Sequence, residues 1–140
     1  MPRPLNELIA SFAKDRFGSP CGRYRSYVQE MLSIPGEVRQ ASLDDYYDTL
    51  QDMIDGLLDN FCGGTLSVEE RAGVFRMILE DWSDESPGSL RASMVWIASA
   101  LRPCEGVSEW LREVAGRQAD PQYAQYLREC ADTIWDKPGT

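Results

Sequence analysis

SLDDYYDTLQDMIDGLLDN, residues 42–60, holds six aspartates and no lysine or arginine. Its apolar residues return at three and four, the period of an α-helix. With Asp44 as zero on a wheel of about 100° per residue, Asp48, Asp52, Asp55 and Asp59 fall at about 40°, 80°, 20° and 60°, and Asp45 at about 100°. Leu43, Tyr46, Tyr47, Leu50, Met53, Ile54, Leu57, Leu58 and Phe61 fall between about 180° and 320°. One arc suits a core. The other is a row of carboxylates running about 22 Å along the rod.

The helical period continues outward from this segment. Upstream, Leu5, Leu8, Ile9, Phe12 and Ala13 predict a first helix closed by Gly18, and Tyr24, Tyr27, Val28, Met31 and Leu32 a second stopped at Pro35-Gly36. Downstream, Gly63-Gly64 ends the acidic helix, and Ser67 with Glu70 forms a capping box that starts the next, through Val74, Phe75, Ile78, Leu79 and Trp82. Residues 89–102, SLRASMVWIASALR, are apolar nearly all round, which predicts the most buried helix, ended by Pro103. Val107, Trp110, Leu111 and Val114 make a short helix closed by Gly116. Asp120-Pro121 is an N-cap with proline at the first helical position, and it opens a last helix through Tyr123, Leu127, Cys130, Ala131 and Ile134. The expectation is an all-α chain of about seven helices with no strand. Short loops pair neighbours as antiparallel hairpins, in a single domain over residues 1–135 with a frayed tail at 136–140. Trp82, Trp96, Trp110 and Trp135 are expected as core anchors. In helix length and loop spacing, residues 67–135 resemble paired-helix repeats of the HEAT or armadillo kind, which implies a short stack; a compact orthogonal bundle fits the same spacing.

Composition narrows function by exclusion. The 140 residues contain no histidine, so the commonest general base and the commonest metal ligand are missing. Cys21, Cys62, Cys104 and Cys130 form no CxxC pair, so zinc spacing is absent, and they are expected as reduced, buried thiols. No nucleotide or hydrolase motif (GxGxxG, GxxxxGK[ST], GxSxG) and no DxDxDG calcium loop occurs. No enzyme, cofactor or metal site is therefore expected. The N-terminal MPRPLNELIASFAKDRF lacks an apolar leader, and no stretch reaches the roughly 18 apolar residues of a span, so a cytoplasmic protein without membrane contact is expected.

The net charge of −9 is uneven. Residues 1–41 carry six basic and four acidic side chains, residues 42–85 two and twelve, and residues 86–140 six and seven. That sign argues against direct nucleic-acid binding. The acidic row also costs stability: like charges at i,i+4 are unfavourable by roughly 0.2–0.5 kcal/mol per pair, and Asp44–Asp48, Asp48–Asp52 and Asp55–Asp59 are three such pairs. Asp is a poorer helix former than Glu, and Asp55 and Asp59 sit toward the negative end of the helix dipole. A solvated face is the plain explanation; a surface for a cationic partner is the functional one. Arg23 and Arg25 are possible internal partners for the row.

Such a face offers a basic groove the same regular negative charge as nucleic-acid phosphates. Asp44, Asp48, Asp52, Asp55 and Asp59 would steer the partner, Tyr47 beside Tyr46 would anchor it, and Glu80, Asp81 and Asp84 would extend the patch. In size, sign of charge and helicity the chain resembles bacterial immunity proteins for toxins, or phage-encoded inhibitors of nucleic-acid-binding machinery. That resemblance implies a basic protein partner. A small acidic secretion chaperone or adaptor, binding an extended peptide, is the alternative; an enzyme with a carboxylate pair is the third class.

Overall fold

The computed structural model describes residues 4–15, 21–59, 66–101 and 104–132. Among the described residues there are eight α-helices and no strand. They are α1 (Leu5–Asp15), α2 (Cys21–Leu32), α3 (Gly36–Gln40), α4 (Leu43–Asp59), α5 (Val68–Asp81), α6 (Gly88–Ala100), α7 (Val107–Gly116) and α8 (Pro121–Ala131). The chain divides into two compact units, Met1–Glu70 and Arg71–Thr140.

The helix beyond the expected seven is α3. Pro35 stops α2, as its missing amide requires. Its carbonyl then accepts from the amides of Val38 and Arg39 at 3.1 and 3.0 Å, so the same proline starts the next turn. The expected stops at Gly18, Gly63, Gly64 and Pro103, the residues Ile134 and Trp135, and the tail lie outside the described residues.

In the first unit α2 packs chiefly on α4, with α1 against α2 and α3 against α4. Leu8 and Phe12 of α1, Tyr24, Tyr27, Val28 and Met31 of α2, and the apolar arc of α4 are buried. Phe12 meets Tyr24 and Tyr27 edge-on, at 5.8 and 5.3 Å between ring centres, the geometry that ring quadrupoles favour. Gly56 marks the close approach of α2 to α4: a Cβ there would stand 2.9 Å from Cδ1 of Tyr24. Arg39 is buried to 4% exposure, with its guanidinium 5.9 Å from the centre of the Tyr46 ring.

In the second unit α7 and α8 form a hairpin and α6 packs on α7. Trp110 is buried between Phe75 and Trp82, at 5.8 and 5.1 Å. Trp82 and Trp96 are only half-buried. The expectation that α6 is the most buried helix does not hold: it buries Leu90, Met94, Val95, Ile97 and Ala98 and leaves Ala92 exposed, whereas α4 buries Tyr46, Tyr47, Leu50, Met53, Ile54 and Leu57. Alanine supplies part of its apolar character, and so small a side chain forfeits little when left in water.

Both expected caps are present. Ser67 Oγ accepts the Glu70 amide at 3.1 Å, and Glu70 Oε1 accepts the Ser67 amide at 2.8 Å. Asp120 accepts the Gln122 amide at 3.0 Å, with Pro121 following. No helix among the described residues is long and apolar enough to cross a membrane.

Candidate functional site

The two arcs of α4 separate in space as their spacing requires. Tyr46, Tyr47, Leu50, Met53, Ile54 and Leu57 are buried, whereas Asp44, Asp45, Asp48 and Asp55 are exposed and Asp52 is half-buried. Asp59 is the last residue of α4; its side chain lies outside the described residues. Asp52 and Asp55 both take part in interactions within the chain. Asp44, Asp45 and Asp48 meet no basic side chain among the described residues. Among the described side chains of the row, the unengaged carboxylates are thus those of the N-terminal half of the helix, where its dipole also favours Asp44 and Asp45.

The possible internal counter-ions are turned elsewhere. Arg23 pairs with Asp15 at 3.1 Å, and Tyr27 donates to the same Asp15 carboxylate at 2.6 Å. Arg25 pairs with Glu70 at 3.0 Å, and Gln29 donates to the other Glu70 oxygen at 2.9 Å. Burial pushes the Glu70 carboxyl up, but the Ser67 amide, Gln29 and Arg25 together outweigh it and hold the group at about 2.

Tyr47 is corrected. Both it and Tyr46 are fully buried, and their rings meet edge-on at 5.1 Å, so neither anchors a partner. A tyrosine suits a rim because its polar tip wants water. Here the Tyr46 hydroxyl donates to the Met31 carbonyl at 2.7 Å, so that tip is satisfied inside. The wheel had already put both rings on the apolar arc.

The second acidic cluster is also corrected in part. Asp81 is buried to 7% exposure. It continues the buried stripe Val74, Met77 and Ile78 at the helical repeat, so its position outweighs its charge. Asp84 is held inside its own unit, accepting from Arg117 Nε at 2.8 Å and Trp82 Nε1 at 2.9 Å. Those two donors, Arg117 first, hold its carboxyl below the usual range. Glu80 is exposed and takes part in an interaction within the chain. The second cluster therefore offers far less free negative charge than its composition suggests.

The second unit also carries a cavity of about 550 Å³ that includes Arg91, Arg117, Asp120 and Tyr123. Its cations are already engaged: Arg91 donates to the Ser86 carbonyl and to Gln118, and Arg117 to Asp84 and Glu113. Among the described residues no three His, Cys, Asp or Glu side chains converge as a metal site, and Cys104 and Cys130 are half-buried free thiols.

Two further exposed carboxylates stand beside the expected row. Asp45, at the edge of the acidic arc, lines a groove in the first unit, and Glu37 of α3 lies on the same groove. Nothing in the sequence flagged α3 as an element. No family model, curated protein or solved structure matches this chain.

Proposed function

We propose that this chain is an acidic binding protein that neutralises a basic protein partner by covering its cationic surface. The observation that carries this is the exposed run Asp44, Asp45 and Asp48 on one rigid helix, with Arg23 and Arg25 committed to other carboxylates. Short Asp side chains hold charge close to the rod and lose little rotamer entropy on docking. Electrostatic complementarity of this kind raises on-rate and specificity. The resemblance in size, charge and helicity to toxin immunity proteins and phage inhibitors supports the same reading. In that role the protein acts in the cytoplasm, on a toxin or a nucleic-acid-binding enzyme, and binds no nucleic acid itself. It is a stoichiometric binder, not an enzyme, and it needs no cofactor.

The test is purification of the complex from the native cell, followed by titration of the recovered partner with Asp44→Lys/Asp48→Lys protein. Affinity should fall at least tenfold, since close interfacial charge pairs couple by about 1.5 kcal/mol or more. The wild-type complex should also weaken as salt rises. A complex indifferent to both changes leaves the acidic face as a solvated surface.

A further inference from the structure

The first unit contains an open groove of about 610 Å³ between α1, α3 and the start of α4. Leu5, Ile9, Val38 and Ala41 supply apolar wall, and Glu37 and Asp45 supply charge. Among the described residues no lysine or arginine lines it. Val38 is 40% exposed, so an apolar side chain of α3 stands in water there. Glu37 and Asp45 are themselves exposed.

We propose that this groove docks a segment of the partner protein in which an apolar side chain is flanked by lysine or arginine. The inference rests on the function proposed above and names the part of the partner that is recognised. The apolar wall takes the hydrophobic residue, and the two carboxylates meet its cationic neighbours. Asp44 and Asp48, within one turn of Asp45 on the same helix, extend the negative field toward the rest of a basic surface.

Charge complementarity selects this occupant over the others. A second copy of the chain carries a net charge of −9 and would bring further carboxylates to an acidic groove. An anionic membrane surface is repelled for the same reason.

The experiment uses the full chain and a short fluorescent peptide with one leucine flanked by pairs of lysines, read by anisotropy. Replacing the leucine by serine, or the lysines by glutamate, should weaken binding at least about tenfold, as loss of one buried apolar side chain or reversal of the charge predicts. Val38→Ser, at an exposed position that does not endanger the fold, should weaken the lysine–leucine peptide but not its serine version. Glu37→Gln/Asp45→Asn should weaken it about fivefold and flatten its salt dependence. Equal binding of the glutamate peptide overturns the proposal, as does indifference to both variants. Self-association in sedimentation that Val38→Ser abolishes also overturns it, because the groove then belongs to a second copy. If these variants fail while Asp44→Lys/Asp48→Lys still releases the native partner, the groove alone falls and the acidic-face function stands. If the native complex ignores the lysine variants, that function falls instead.

Discussion

Glu70 concentrates several jobs in one side chain. It closes the capping box with Ser67, pairs with Arg25 and accepts from Gln29, and its carboxyl is held at about 2. Because folding lowers this pKa, the stabilisation is complete above the ordinary carboxylate range and is lost as pH falls toward about 2. Glu70→Gln should therefore lower the urea-unfolding free energy by about 1–3 kcal/mol at neutral pH, the usual loss for a charge-assisted hydrogen-bond set. The gap between wild type and variant should narrow steadily as unfolding is repeated from about pH 5 down toward pH 2. A gap independent of pH would mean that the carboxylate charge is not what the donors bind. The capping half of this arrangement was legible in the sequence, because its partners are three residues apart. The Arg25 and Gln29 half was not, since those donors are 45 and 41 residues away. Gly56 was invisible for the same reason: its meaning comes from Tyr24, 32 residues away, which chain folding brings to it.

Helix α4 is the element in which stability and function oppose each other. Its apolar arc builds the first unit's core, while its exposed carboxylates repel one another. Asp48→Ala removes two like-charged i,i+4 neighbours and a mediocre helix former, so it should raise the stability of the free protein by about 1 kcal/mol. The same change should weaken the complex. Thermal unfolding of the free variant, set beside titration of the partner, measures both effects. A variant that is no more stable removes the premise that the row is kept at a loss. Periodicity located the face correctly because every residue of a regular helix is assigned by its angle. At Asp81 residue type misleads and the angle does not: the stripe through Val74, Met77 and Ile78 reaches Asp81 and buries it. Periodicity fails at α3, whose five residues are too few for a period to declare itself.

Across the whole chain, a charge of −9 means that acidic groups repel on average. Raising sodium chloride from about 0.01 to about 0.15 M shortens the Debye length from about 30 to about 8 Å. Melting temperature should rise by about 2 °C, the shift expected when screening relieves about half a kcal/mol of repulsion. A fall instead would mean that the pairs around Asp15, Glu70 and Asp84 outweigh the repulsion. The sequence by itself determined the all-helical class, both caps and the outward face of α4, because each depends on neighbours within one or two turns. Only the tertiary structure decided which carboxylates remain free, that the Tyr46 hydroxyl finds its partner in the Met31 carbonyl, and that α1, α3 and α4 leave an apolar groove edged by Glu37 and Asp45. Those facts are set by which distant segments meet, and a helical repeat carries no record of what packs against it.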